Sequence, residues 1–151
     1  MTQAALKPYT AADREACLSI FDGNVPKYFG AEERGEFEEF LDDLPGPYFT
    51  LVLNDNIIGC GGYGNRDGNK EGVGFFCWGM IARSHHKQGY GTILAEMRVN
   101  AMRDDPSVKR VRLNTSQHTA PFYARFGFET VKTIKDGFSE GLDDIEMHLV
   151  F

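Results

Sequence analysis

Apolar residues recur along this chain with two different periods, and the changes from one to the other mark out its elements. A short run at 4–7 reads as a first strand. Behind Thr10, which with Asp13 offers an N-cap and an acidic first turn, Cys17, Ile20 and Phe21 recur at helical spacing and predict a helix over 11–22. Phe37, Phe40, Leu41 and Leu44 then fall at i, i+3, i+4 and i+7, a second helical stripe over 31–44 that Pro45-Gly46-Pro47 stops.

The period changes after that. The runs at 48–53 and 57–63 are β-prone and are separated by Asn54-Asp55-Asn56, a hairpin signal because Asn and Asp tolerate left-handed turn geometry. Asn65-Arg66-Asp67-Gly68-Asn69 makes the next turn. The segment 72–81 reads as a long buried strand whose Gly72, Gly74 and Gly79 mark a bulge or the close approach of a ligand. A third helix covers 89–103 with Ile93, Leu94 and Met97 on one face; a strand at 109–114, a short helix at 119–126 and strands at 128–134 and 144–151 follow. The order βααβββαβαββ predicts an α+β, or mixed α/β, layer around one sheet.

Length agrees with one such layer. A chain of 151 residues can bury roughly 68–70% of its extended-chain surface in a single core, so one domain over 1–151 is expected. Hydrophobic residues at 42% and charged ones at 25% exclude a disordered or collagen-like chain. The longest apolar run, 73–82, falls short of the roughly 20 residues a membrane span needs. The N-terminus lacks the pattern of a secretory signal, so a cytoplasmic protein with no membrane partner is expected.

Sixteen basic against 22 acidic residues give a net charge of −6, a field that repels nucleic acid and anionic lipid. An anionic ligand must therefore find a locally basic site. Cys17, Cys60 and Cys77 fit neither a disulfide framework nor a zinc motif and read as buried thiols. His85 and His86 are adjacent and point apart, and His118 and His148 stand at no ligand spacing to them, so no metal site is expected.

One segment is locally basic. Met80-Ile81-Ala82-Arg83-Ser84-His85-His86-Lys87-Gln88-Gly89-Tyr90-Gly91-Thr92 reads as a strand end, a glycine loop and a helix start. A phosphate needs backbone N–H groups aimed at one point, glycines that let the chain come close, and the positive end of a helix dipole. All three are present, and from 82 to 95 Arg83, Lys87 and two histidines are accompanied by no acid. A glycine-capped strand–helix turn without a ligand has the same spacing.

This stretch resembles motif A of the GNAT acetyltransferases, Arg/Gln-x-x-Gly-x-Gly/Ala, with His86 at the Arg/Gln position, Gly89 at the first glycine and Gly91 at the second. Downstream, Thr119-Ala120-Pro121-Phe122-Tyr123-Ala124-Arg125-Phe126-Gly127-Phe128 is similar to the family's Ala-x-x-x-Tyr-x-x-x-Gly-Phe motif, with the Ala one position nearer the Tyr. The tail around Asp136-Gly137-Phe138 and 142–147 also looks like members of the family, so the resemblance spans nearly the whole chain.

The resemblance implies the GNAT-like acyl-CoA N-acyltransferase fold, a mostly antiparallel mixed sheet of about six or seven strands flanked by about four helices. It implies acetyl-CoA as cosubstrate, lodged between the splayed strands 72–81 and 109–114, and direct acetyl transfer to a primary amine of a small molecule or protein. Met80, Ile81 and Arg83 would pair with the pantetheine arm. His86, Lys87, Gln88, Gly89, Tyr90, Gly91 and Thr92 would hold the pyrophosphate, and Asn114 would sit near the pantetheine. Tyr123 is matched to the general acid and would border the coenzyme. A catalytically silent acyl-CoA-binding sensor with the same fold is the alternative.

The attacking amine, with a pKa of about 10.4, must lose a proton, and Glu71 at the mouth of the long strand is the candidate base. Seven acids between 31 and 43 against one base, Arg34, hint at a cationic acceptor, because in similar proteins the first two helices wall the acceptor side. A solvated helix face gives the same charge pattern. The irregular aromatic segment 21–29 suits a substrate lid, with Asn24 and Tyr28 as candidate contacts. Cys77, inside a Phe-Phe-Cys-Trp run, reads as an inert core thiol rather than an acetyl carrier. Gly59-Cys60-Gly61-Gly62-Tyr63-Gly64 satisfies a dinucleotide fingerprint but continues into a turn instead of a helix, and reads as strand and bulge. A homodimer is an open expectation, with Leu149-Val150-Phe151 as an edge strand for a partner.

Overall fold

The structure, a computed structural model, describes residues 3–65 and 71–151. Among these residues, eleven main elements follow the predicted order. They are β1 (Ala5–Pro8), α1 (Arg14–Gly23), α2 (Arg34–Asp42), β2 (Tyr48–Leu53), β3 (Asn56–Asn65), β4 (Val73–Ile81), α3 (Tyr90–Asp104), β5 (Arg110–Thr115), α4 (Ala120–Ala124), β6 (Glu129–Ser139) and β7 (Leu142–Val150). The turn expected over 65–69 lies, beyond Asn65, outside the described residues.

The first two helices each begin with a tighter 3-10 turn, at Ala11–Asp13 and Ala31–Glu33. An acid closes each turn from the inside: Asp13 accepts from the Thr10 amide at 2.9 Å and Glu33 from the Gly30 amide at 2.7 Å.

All seven strands form one sheet in the order β1-β2-β3-β4-β5-β7-β6. Every pairing is antiparallel except β4 with β5. Asn54 and Asp55 take φ of 50° and 65°, so the β2–β3 hairpin closes in two residues. Between β3 and β4 the register shifts where Cys60 pairs with Met80 but Gly62 with Cys77. Trp78 and Gly79 stand against the single residue Gly61, one residue extra, and form a bulge in which Trp78 has φ of 31°.

Helices cover both faces. Cys60 packs with Cys17, Phe21, Phe37 and Met80 beneath α1 and α2, whereas the next residue, Gly61, has no side chain and admits Leu94 of α3 from the other face. Gly62 is equally constrained, because a Cβ there would strike the Pro47 carbonyl and Tyr48. The glycine run 59–64 is therefore strand and bulge with close packing on both faces.

Three expectations are corrected. The inner face of α3 is Leu94, Ala95, Arg98, Val99 and Met102, while Ile93 is 39% exposed: the buried stripe starts one residue later and includes a charge. The last hairpin is longer than the runs 128–134 and 144–151, since Ser139 pairs with Leu142 and the turn between them is fixed by Asp136 accepting from the Gly141 amide at 2.7 Å. The C-terminal strand is no edge: β7 lies between β5 and β6, and the amide of Phe151 donates to Lys109.

Candidate active site

β4 and β5 pair over only three positions, Val73 with Arg110, Gly74 with Val111 and Phe75 with Arg112. Beyond them the strands part. Two parallel strands that diverge leave unpaired backbone facing a gap, and here a cavity of about 880 Å³ is lined by 75–81 of β4 and 113–116 at the end of β5. The bulge at Trp78 and Gly79 turns β4 at that point. Tyr48 donates its hydroxyl proton to the Trp78 carbonyl at 2.7 Å, which holds the bulge in place.

The glycine loop closes one end. After β4 the chain makes a 3-10 turn at Arg83–His85, takes φ of 60° at Lys87 and 88° at Gly89, and enters α3 at Tyr90. Gly89 at the N-cap has no side chain to bond the first-turn amides, so those of Tyr90, Gly91 and Thr92 have no acceptor among the described residues. Nothing lies within 4 Å of the place a Cβ of Gly89 would occupy, so the space beside the N-cap is open. His86, Lys87, Gly89, Gly91 and Thr92 line the cavity, as do Met80 and Ile81. Arg83, Gln88 and Tyr90 do not: Arg83 lies over the Tyr28 ring at 5.3 Å, Gln88 donates to the Ser84 carbonyl, and Tyr90 packs edge-on to His85.

Tyr123 on α4 is also in the cavity wall. It is 8% exposed, among Phe76, Phe122 and Phe128, and its oxygen accepts a hydrogen bond from the Arg98 guanidinium at 3.2 Å. Arg98 lines the same cavity and escapes a reading that places the buried face of α3 one residue early. A signal for it exists in the sequence: Leu94, Arg98 and Met102 recur every four residues, a charge in an apolar stripe. Cys77 is also in the wall, 7% exposed. Asn114 lines the cavity with its amide donated to Asp144 at 2.8 Å.

Another part of the lining is acidic and aromatic. Glu33 and Glu36 reach it from the start of α2, beside Phe29, Phe40, Trp78 and Phe138. Burial, reinforced by the nearby Glu36, Glu32 and Asp144 and opposed by the Gly30 amide, pushes the Glu33 carboxyl up from 4.5 to about 7. Two other acids of α2 are occupied elsewhere, Asp42 by Arg14 of α1 at 3.1 Å and Glu38 by Arg34 at 3.0 Å. Asn24 borders the cavity but gives its amide to the carbonyls of Ile20 and Ile81. Tyr28 borders it too, edge-on to His86 and His118. Glu71 is not brought to this site: it is exposed, at the end of β4 where β4 still pairs with β5, and is not in the cavity wall.

Among the described residues, no group of three or more His, Cys, Asp and Glu side chains is placed to hold a metal ion. No helix among them is long and apolar enough to cross a membrane.

Residues 15–128 match the model of the acetyltransferase (GNAT) family. No curated protein sequence matches the chain. Solved structures do. A GNAT-family chain from Desulfovibrio desulfuricans superposes with a TM-score of 0.80 at 21% identity, covering 98% of this chain and 99% of that one. The ribosomal-protein-S18-alanine N-acetyltransferase from Escherichia coli gives 0.79 at 14% identity over 98% and 94%. An aminoglycoside 6'-N-acetyltransferase complexed with coenzyme A gives 0.75 at 14% identity over 97% and 96%. At these identities the superpositions speak for the fold, and the family model, which spans three quarters of the sequence, speaks for the relationship. The chain belongs to the GNAT family of acetyltransferases.

Proposed function

We propose that the protein is an acetyl-CoA-dependent N-acetyltransferase that passes the acetyl group directly to a primary amine. The observation that carries this reading is that one cavity is lined at once by Gly89, Gly91 and Thr92 at the uncapped start of α3, by Tyr123 and by Glu33. The residues fit the coenzyme. Unpaired N–H groups at a helix N-terminus suit a pyrophosphate, Gly89 leaves room for it, and the gap between β4 and β5 offers strand backbone to an extended arm. One of the structures with this fold holds coenzyme A.

When bound, the thioester supplies an activated acetyl group whose leaving thiol has a pKa of about 8.5. The chain does the rest. Amides of Gly91 and Thr92 hold the diphosphate, and Met80 and Ile81 of β4 align the arm along the strand. Glu33, with a pKa near neutrality, takes the proton of the attacking amine in place of Glu71; a base works best when its pKa lies near the operating pH. Tyr123 gives a proton to the departing sulfur. The acids Glu33 and Glu36 beside Phe29, Phe40 and Trp78 favour an acceptor with positive charge and an apolar body, such as a polyamine, an aminoglycoside or a lysine side chain.

Thiol release from acetyl-CoA, followed over a panel of polyamines, aminoglycosides, amino acids and basic peptides, tests the reading. Turnover with cationic amines is expected. Coenzyme binding without turnover on any amine would support the alternative of a silent acyl-CoA sensor.

A further inference from the structure

Arg98 is the unexplained charge of this molecule. It is 2% exposed, on the inner face of α3, and no carboxylate lies within ion-pair distance of it among the described residues. A cation buried without an anion is costly. What surrounds it is the ring of Phe76, 4.3 Å from the guanidinium carbon, the Leu94 carbonyl, which accepts from Nε at 3.3 Å, and the Tyr123 hydroxyl. Gly79, in the bulge of β4, makes the arrangement sterically feasible: a Cβ there would lie 2.7 Å from both terminal guanidinium nitrogens. Bulge, glycine and arginine thus converge on one phenol in the cavity wall.

We infer that Arg98 is a positioning residue for Tyr123, fixing the direction in which that hydroxyl offers its proton. The inference rests on the transferase reading given above. A guanidinium has donors only, so the Tyr123 oxygen must accept in this bond and its own O–H must point elsewhere. The neighbouring rings of Phe76, Phe122 and Phe128 have no oxygen or nitrogen to receive it, and the hydroxyl has no other partner among the described residues. The open direction is the cavity. During transfer, the nitrogen of the neutral acceptor amine bonds to the acetyl carbon and loses its proton to Glu33, which releases it to solvent. Tyr123 gives its proton to sulfur as the carbon–sulfur bond breaks and that bond's electron pair goes to sulfur. The product is a thiol, and the phenolate left behind faces the guanidinium until solvent returns a proton. Nothing is oxidised or reduced.

A double-mutant cycle tests this, with Arg98→Met, which keeps length and apolar bulk, Tyr123→Phe, and both together. Arg98→Lys is a further variant, with a single donor nitrogen of the same charge. Each is followed by thiol release and by thermal unfolding with and without acetyl-CoA. We expect Arg98→Met and Tyr123→Phe each to lower kcat by about 10²-fold with KM for acetyl-CoA within about threefold, and the pair to be no slower than Tyr123→Phe alone. Arg98→Lys should recover part of the rate, and stabilisation by acetyl-CoA should persist throughout.

Losses that multiply in the double variant would overturn the inference, because an arginine that only fills space acts independently of the hydroxyl. So would an unchanged kcat in Arg98→Met, or loss of its stabilisation by acetyl-CoA, which would make Arg98 a coenzyme contact. If Arg98→Met does not fold, the Arg98→Lys and Arg98→Lys/Tyr123→Phe pair is read by the same criterion. A wild type that acetyl-CoA neither stabilises nor turns over would instead refute the transferase reading, and this inference with it.

Discussion

Nε2 of His86 lies 2.7 Å from the carbonyl oxygen of Ile81, and Nδ2 of Asn24 donates to that same oxygen at 3.0 Å. A carbonyl only accepts, so His86 carries a proton on Nε2. The last residue of β4 is thereby tied at once to the glycine loop and to the residue that ends α1. Nε2 of the imidazole is thus engaged with the chain's own backbone, and in the proposed function His86 holds the loop. Replacing His86 by Ala removes one hydrogen bond from that turn. Acetyl-CoA affinity, measured by titration calorimetry, should fall by about 2–10-fold, the range of a single net hydrogen bond. A loss beyond about 100-fold would instead mean a direct contact with the diphosphate.

Gly89 is the steric test of the loop. Its φ of 88° strains any L side chain, and the space around it is empty. In Gly89→Glu the new carboxylate stands among the amides that would hold an anion. Acetyl-CoA should no longer bind detectably in calorimetry, while the fold survives because no neighbour is struck. Retained affinity would remove the diphosphate from this loop.

Glu33 couples stability and rate with opposite signs. Its folded pKa is raised from 4.5 to about 7, so the native state holds the proton more tightly. The stability this contributes is complete below about pH 4.5 and is lost as pH rises through about 7. The base, in contrast, must be a carboxylate. The rate should therefore climb with an apparent pKa near 7 while the melting temperature declines over the window from 4.5 to 7. Glu33→Gln should flatten both profiles and lower kcat by about 10²–10⁴-fold. A limb near 7 that persists in this variant would assign the titration to another group.

Much of this could be read from residue order. The strands and helices follow from the alternation of apolar periods, and the glycine loop and Tyr123 from motif spacing. What escaped depends on three-dimensional adjacency. Whether Glu33 or Glu71 borders the cavity is decided by where β4 and β5 part, because Glu71 precedes the paired end of β4 and Glu33 caps a turn facing the open end. Arg98 was hidden by a one-residue phase error on α3, which moves every side chain about 100° around a helix. The length of the last hairpin was set by Asp136 and Asp143, whose side-chain bonds to backbone amides carry no apolar period.

The glycines of β3 make a separate claim about packing. In Gly62→Ala a methyl group would press on the Pro47 carbonyl and Tyr48. Overpacking of this kind costs about 1–3 kcal/mol, at about 2–4 °C of melting temperature for each. Thermal unfolding should show that drop, with no affinity for NAD or ATP in either protein. An unchanged melting temperature would contradict the packing role.

The central claim, that the gap between β4 and β5 is an acetyl-CoA site, is tested most directly by thermal unfolding of the wild-type protein with acetyl-CoA, CoA, NAD and ATP in parallel. A ligand at about 100 times its dissociation constant stabilises by roughly 2.7 kcal/mol, a shift of several degrees in a domain of this size. Stabilisation by acetyl-CoA and CoA, and none by NAD or ATP, is the predicted result. No shift with either CoA compound would contradict the account and leave the family's fold without its coenzyme.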